Sequence, residues 1–177
     1  MKKQLLIYFV SYVLFFLLVS LARGWFSPMF LAFWLGGAMG ILLPDADHLI
    51  YVYFLRPHEL TSQRAVRMMS RGEIVSTLSL LANTRSERKS LIFHTVIFQI
   101  AFYVFAFLVL SSSSSLLGRG IVLSFLLHLL IDQFIDFQQL GSISNWLRNI
   151  NITLARDKTV FYWTAAGLLL VVYSFLF

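Results

Sequence analysis

The sequence predicts an all-α protein, a polytopic membrane helix bundle of about five spans with one short basic helical loop. The chain is 59% hydrophobic and only 12% charged over 177 residues. Its mean hydropathy of +0.80 is well beyond that of an ordinary soluble domain. The apolar residues fall into runs of about 20, long enough to cross the hydrocarbon core of a bilayer. These runs occupy so much of the chain that we expect a single membrane domain over residues 1–177.

Two compositional features limit the possible chemistry. The chain contains no cysteine, which excludes disulfides, thiolate zinc sites and cysteine nucleophiles. Any metal site must therefore use nitrogen and oxygen ligands. The net charge is +6, but Lys and Arg gather beside the helix ends of membrane proteins for topological reasons. We therefore expect no nucleic-acid partner.

The first two apolar runs cover residues 5–22 and 28–43. With about 18 residues, the first exceeds the 7–15 residues of a typical signal-peptide core, so we expect an uncleaved anchor. The second is short for a span and carries Gly36, Gly37 and Gly40, small residues that let neighbouring helices approach closely. It ends at Pro44, and the apolar residues 48–55 are compatible with a re-entrant or interfacial continuation of this helix.

Residues 56–90 form the one long polar stretch, with seven basic residues against three glutamates. Its apolar residues are spaced loosely like one side of one or two short helices on the membrane surface, interrupted at Gly72. These are Val66, Met69, Ile74, Leu78 and Leu81. Basic segments beside a membrane attract anionic lipid headgroups, which are therefore candidate partners of this loop. Membrane topology alone explains the same charge excess.

The remaining spans are predicted over residues 91–110, 117–137 and 159–177. With five spans and a cytoplasmic N-terminus, twelve of the fourteen Lys and Arg residues lie on the inner side, and only Arg23 and Arg119 lie outside. This asymmetry predicts a multi-pass protein of the inner (plasma) membrane in that orientation.

Acidic and histidine side chains interrupt the apolar background at three places, and the predicted topology puts all three at the cytoplasmic face. Residues spaced four apart share one face of a helix, so those in the fourth span form one stripe. The three groups are Asp45, Asp47 and His48 after the second run, His94 near the start of the third, and His128, Asp132 and Asp136 in the fourth.

Ionisable residues within membrane helices cost about 2.5–3.5 kcal/mol each on insertion scales and are tolerated beside a compensating partner. Carboxylate and imidazole ligands together suit zinc, manganese or iron, and several of them can hold two ions about 3.5–4 Å apart. We therefore expect one or two divalent metal ions. The predicted ligands are Asp45, Asp47, His48, His94, His128 and Asp132. A carboxylate that does not bind the ion is the predicted proton acceptor: Asp136, or Asp45 when it is unligated.

Each group also has a simpler interpretation. The segment of Asp45 to His48 fits a helix-end turn, and His94 or Asp136 fits an interfacial side chain. His58 is expected to be a solvated loop histidine. His128 and Asp132 are the most specific pair, because a histidine and a carboxylate one turn apart are costly within an apolar membrane helix and usually mark a functional site.

The same segments resemble a known family, the inner-membrane metal-dependent hydrolases of the LexA-regulated YdjM type. Residues 43–48 match the family segment Leu-Pro-Asp-x-Asp-His in full, and residues 128–132 match its His-x-x-x-Asp motif. His94 and Thr95 stand where the family has the His-Ser of His-Arg-Gly-x-Thr-His-Ser, without the preceding His-Arg-Gly. Residues 1–5 also lack the histidine that the family tends to carry near the N-terminus.

The resemblance covers roughly residues 28–137 and implies the fold and the metal site more directly than the activity, for which the family indicates metal-dependent hydrolysis. Our leading hypothesis is hydrolysis of an ester or phosphoester of a membrane lipid or lipid-linked substrate at the cytoplasmic face. With two family histidines absent, one ion in place of two is also compatible with it. Two other functions remain open from the residues. Intramembrane Asp and His side chains also bind or conduct cations and protons in non-enzymatic proteins, and a structural metal site would hold the helices together.

Overall fold

The computed structural model describes residues 2–84, 87–88, 91–150 and 152–176. Within these ranges all regular secondary structure is helical, which confirms the predicted all-α class. Arg85 and Lys89, counted above with the basic loop, lie outside the described residues. The α-helices are α1 (Lys2–Arg23), α2 (Leu31–Gly40), α3 (Ala46–Ile50), α4 (Leu60–Ser70), α5 (Ile74–Asn83), α6 (Val96–Ser112), α7 (Leu116–Leu140) and α8 (Arg156–Leu176).

Four helical segments are long and apolar enough to cross a membrane, and they indicate a membrane protein. They are Gln4–Arg23, Pro28–Leu55, Leu116–Leu140 and Arg156–Leu176. The outward sides of α1 and α8 carry large apolar side chains, such as Phe9 and Phe161, that are 64% and 76% exposed. Such a surface suits lipid and is rare on soluble monomers. Helix α6 is also apolar but has 17 residues, the lower limit for a span.

The second segment continues through the position where the sequence predicted its end. Pro44 lies in a 3₁₀ turn, Leu43–Asp45, which leads into α3 and then into a π-helical turn, Tyr51–Leu55. Proline is accommodated there because the first turn of a helix needs no N–H donor from it. Asp45, Asp47 and His48 therefore lie inside a long helical segment, as the predicted continuation allowed, and not beyond its end.

Helices α2 and α7 pack with their backbones almost in contact. A Cβ atom on Gly36 would lie 2.1 Å from the carbonyl oxygen of Leu117, and one on Gly40 would lie 2.3 Å from that of Ile121. From the other side, a Cβ atom on Gly120 would lie 2.2 Å from the carbonyl oxygen of Phe33. The predicted role of the α2 glycines in close helix approach is confirmed, and their spacing is that of small-residue membrane interfaces.

The third predicted span begins later than the sequence indicated. Residues 91–95 are not helical, and α6 starts only at Val96. The carboxylate of Asp47 accepts hydrogen bonds from the backbone N–H groups of Ile92 and Phe93, at 3.0 and 2.6 Å, which holds this segment away from a helical course. Thr95 then caps α6 by accepting a hydrogen bond from the N–H of Phe98 at 3.3 Å.

Helices α4 and α5 form the short helical pair that the polar stretch predicted, separated by Gly72 at a φ of +75°. The prediction that the apolar residues of α4 and α5 share one side is only partly correct. Leu81 is buried with Ala65 against the π-helical turn, whereas Ile74 and Leu78 are 56% and 52% exposed. Leu81 and Ala65 thus join this pair to the second segment.

The bundle has two chemically different halves. Arg23, at the end of α1, donates a hydrogen bond to the carbonyl oxygen of Ser174 near the end of α8, while Tyr8, near the start of α1, contacts the second half of α7. The half toward Arg23 is filled by apolar side chains that include Phe16, Phe33 and Leu126. The polar segments singled out in the sequence meet in the other half.

Candidate metal centre

Four segments bring the centre together at one end of the bundle. Helix α7 contributes Asp132 and His128, the segment before α6 contributes His94, the second helical segment contributes Asp47, and α1 contributes Tyr8. The close approach of α2 to α7 sets the distance between two of these segments. The predicted convergence of the three polar groups is therefore found, with α1 as an additional member.

Asp132 lies at the middle of the centre and is fully buried. Its Oδ1 atom accepts a hydrogen bond from the hydroxyl group of Tyr8. Its Oδ2 atom lies 2.8 Å from Nε2 of His94 and 3.4 Å from Nε2 of His128. One carboxylate oxygen thus faces two imidazole nitrogens.

The backbone of the second helical segment orients the ring of His128. Its Nδ1 atom lies 2.6 Å from the carbonyl oxygen of Ile41, which can only accept, so Nδ1 carries the proton. In the neutral ring, Nε2 then presents its lone pair. This Nε2 atom is buried and has no hydrogen-bond partner among the described residues. Tyr8 stacks on the ring, with 4.7 Å between centroids, and fixes its plane.

Asp47 orients the ring of His94 in the same manner. Nδ1 of His94 lies 3.1 Å from Oδ2 of Asp47, a carboxylate that also accepts the two backbone hydrogen bonds of residues 92 and 93. An ionised carboxylate only accepts, so Nδ1 is the donor. Nε2 therefore directs its lone pair at Asp132, unless the ring is doubly protonated.

With both rings neutral, this buried group places two imidazole lone pairs against the carboxylate of Asp132. Atoms of His94, His128 and Asp132 lie within 4.8 Å of one another, and all three residues are buried. Lone pairs that face a carboxylate at low dielectric repel unless a proton or a cation lies between them. Imidazole rings whose second nitrogen donates to a carboxylate or a carbonyl are the usual arrangement around bound metals. The residues present therefore fit a divalent cation.

Asp45 and His48 lie at the edge of this group. The Asp45 side chain is 55% exposed, and its Oδ1 lies 3.8 Å from Nε2 of His128 and 4.0 Å from Nε2 of His48. The Nδ1 atom of His48 accepts a hydrogen bond from Nε of Arg88 at 3.1 Å, so its proton sits on Nε2 when the ring is neutral. Asp45 can approach a bound ion, whereas this tautomer directs the Nε2 proton of His48 toward Asp45.

Asp136, the other predicted proton acceptor, lies one turn beyond Asp132 on α7. It accepts a hydrogen bond from the indole N–H of Trp146 at 2.8 Å and is half-buried. It faces a cavity of about 110 Å³ that extends from the surface to His94. Asp136 is thus outside the group of three but shares a water-accessible space with one of its members.

Several site residues carried no signal in the sequence. Tyr8 lies in an apolar run where tyrosine is common near membrane interfaces, and Arg88 was one of seven basic residues in the polar stretch. Trp146 and Arg148 belong to a short segment between spans. His58, predicted to be a loop histidine, is exposed in the loop before α4.

The fold and the site together define a helical membrane protein with a buried histidine and aspartate group at one end of its bundle. Comparisons with protein-family models, with curated proteins and with solved structures gave no match. The assignment of a metal centre therefore rests on the geometry of these residues. The similarity to YdjM-type hydrolases remains an expectation from the three motifs.

Proposed function

We propose that this protein is a membrane-bound metal-dependent hydrolase that cleaves an ester or phosphoester of a membrane lipid or lipid-linked substrate. The observation that supports it most directly is the buried Nε2 atom of His128, which has no hydrogen-bond partner among the described residues and faces Asp132 at 3.4 Å. Burying a polar atom without a partner costs about 1–3 kcal/mol, so a ligand for this atom is expected.

His94, His128 and Asp132 would hold the ion, and Asp45 would join them from the exposed side. A bound zinc, manganese or iron ion supplies Lewis-acid polarisation of a phosphoryl or carbonyl oxygen and acidifies water. Asp47 and the Ile41 carbonyl keep Nδ1 of each histidine protonated, so that both Nε2 atoms remain available. Asp136 is placed to accept a proton in the cavity, with its carboxylate held by the Trp146 indole.

We place the centre at the cytoplasmic face of the inner (plasma) membrane. In this proposal α6 is a fifth span, and the N-terminus is cytoplasmic because only Arg23 and Arg119, of the fourteen Lys and Arg residues, then face outward. The basic residues around α4 attract anionic lipid headgroups toward the same face. A lipid substrate would thus be enriched beside the centre.

The apolar half of the bundle argues against a conducting protein. An ion or proton path needs polar groups that continue to the other face. Beyond His128 the described interior contains an apolar cluster with Phe16, Phe33, Leu110 and Leu126. A purely structural metal site is the remaining alternative, and it makes no use of the cavity beside His94.

The test is elemental analysis of the purified protein, followed by a screen for metal-dependent release of phosphate or fatty acid from lipids. We expect stoichiometric metal and activity in the wild type, and loss of both in His128→Ala. His58→Ala is the matched control, since it removes an exposed histidine remote in sequence from the three ligands. Absence of metal from the wild type after loading would falsify the proposed centre. If metal binds but no ester or phosphoester is hydrolysed, the centre is a structural metal site and the proposed activity is wrong.

A further inference from the structure

The cavity beside His94 connects this member of the buried group to polar groups at the surface. Its inner wall is formed by buried side chains, among them His94, Arg88 and Trp146, which are 6%, 5% and 2% exposed. Its outer wall is rich in side-chain amides. These are Gln4, Asn83, Gln139, Asn145 and Asn149. A volume of about 110 Å³ exceeds what a single water needs several-fold, so a small polar group fits.

The charges that line this cavity favour an anion. Among the described residues of its wall, Arg88 and Arg148 are the cations and Asp136 supplies the one carboxylate. A divalent ion bound by His94 would add further positive charge at the inner end. The amides contribute N–H donors, which suit phosphate oxygens or hydroxyl groups.

Arg148 is the cation in this wall that is best placed for an external ligand. Its guanidinium donates to the carbonyl oxygen of Asn145 at 3.5 Å, and no carboxylate among the described residues forms an ion pair with it. Partial burial lowers the pKa of the guanidinium, because removing it from water disfavours its charge. An anion in the cavity would offset this cost. Arg88, by contrast, is engaged with His48, Thr84 and the Leu81 carbonyl.

We propose that this cavity binds the phosphate group of the substrate, with Arg148 as its cationic contact and with His94, a candidate metal ligand, at its inner end. The inference rests on the proposed function and narrows its substrate to phosphoesters. The planar fork of a guanidinium matches phosphate oxygens. A neutral carboxyl ester would make no use of this charge.

The experiment uses the full-length protein in detergent, loaded with Mn²⁺, and inorganic phosphate as the probe. Paramagnetic broadening of the phosphorus resonance reports phosphate close to the ion, and electron paramagnetic resonance reports Mn²⁺ binding separately. We expect broadening in the wild type and at least tenfold weaker phosphate binding in Arg148→Gln, with Mn²⁺ affinity unchanged. Arg148→Lys should recover part of the affinity. Arg64→Gln is the control, because it removes an exposed arginine from α4, outside the cavity wall.

A second variant keeps the proposal testable if Arg148→Gln folds poorly. Asn149→Asp adds a negative charge to the exposed part of the wall and should also weaken phosphate binding by at least tenfold. If Mn²⁺ binds but phosphate is not broadened, or is broadened equally in every variant, the cavity is not a phosphate site while the metal centre stands. If Mn²⁺ does not bind, the proposed function fails and this inference fails with it.

Two further probes distinguish a lipid phosphate from a soluble one. Phosphatidic acid in nanodiscs and glycerol 3-phosphate in solution are each tested for displacement of inorganic phosphate. Displacement by phosphatidic acid supports a lipid substrate, and displacement by glycerol 3-phosphate alone supports a soluble phosphoester. Displacement by neither overturns the assignment.

Discussion

Asp47 reaches across from the second helical segment and holds His94 in place, with its Oδ2 atom 3.1 Å from Nδ1 of the histidine. The same carboxylate accepts hydrogen bonds from two backbone N–H groups just before His94. It therefore fixes both the ring tautomer and the course of the chain. In the proposed centre this relationship supports a positioning role for Asp47, where the sequence predicted a ligand.

We expect Asp47→Asn to weaken metal binding by about 10–100-fold, the range found when a partner of a metal-ligating histidine is lost. The asparagine side chain is neutral, and its NH₂ group cannot accept the hydrogen bonds that the Asp47 carboxylate accepts from its neighbours. Isothermal titration with zinc measures the change. Asp157→Asn, at the exposed start of α8, is the control. Unchanged affinity in Asp47→Asn would show that His94 is not held for metal binding.

Asp132→Asn should have a larger effect on metal affinity than Asp47→Asn, because it removes an oxygen that faces both imidazoles. Competition with a chelator of known affinity, followed by elemental analysis, measures this difference. If Asp132→Asn binds metal as well as Asp47→Asn does, Asp132 is not a ligand.

Metal binding should stabilise the folded protein, since the ion binds the native arrangement of three separate segments. Metal at 100 times its dissociation constant contributes about 2.7 kcal/mol. A thermal scan in detergent, with and without a chelator, measures the shift. The shift should disappear in His128→Ala and persist in His58→Ala. A shift of equal size in both variants would point to binding elsewhere.

Gly40→Val should destabilise the fold by at least the roughly 1–3 kcal/mol typical of overpacking, because its side chain would meet the backbone of Ile121. Gly167→Ala in α8 is the matched control. A Cβ atom there meets no atom within 4 Å, and alanine is preferred over glycine in a helix by up to about 1 kcal/mol. Unfolding by heat or denaturant compares the two. Equal stability would contradict the close packing of α2 on α7.

The buried amides of Gln99 and Gln133 should behave as a coupled pair. They exchange hydrogen bonds between α6 and α7, at 2.7 and 3.4 Å, and both are fully buried. Gln133→Leu leaves the amide N–H group of Gln99 without its partner, while the Tyr162 hydroxyl still donates to Oε1 of Gln99. Gln99→Leu leaves the Gln133 amide without its partner and also removes the acceptor of Tyr162. An unsatisfied buried group costs about 1–3 kcal/mol. The double variant should cost less than the sum of the two single variants. A double-mutant cycle of unfolding free energies tests this, and strict additivity would contradict the pairing.

The sequence by itself determined the helical membrane class of the protein and the segments whose polar residues meet at one end of the bundle. Long apolar runs specify helices in a membrane because the backbone must satisfy its own hydrogen bonds there. The spacing of His128 and Asp132 places both on one face of α7. The glycines of α2 indicated close packing, which the structure confirms against α7.

Only the tertiary structure decided what each polar residue contacts. Local pattern cannot show that Tyr8 hydrogen-bonds Asp132, 124 residues away, or that the Ile41 carbonyl fixes the tautomer of His128. Nor can it separate Asp47, which orients His94, from Asp132, which faces both rings. These roles arise from distances between segments, and those distances are set by the packing of the helices.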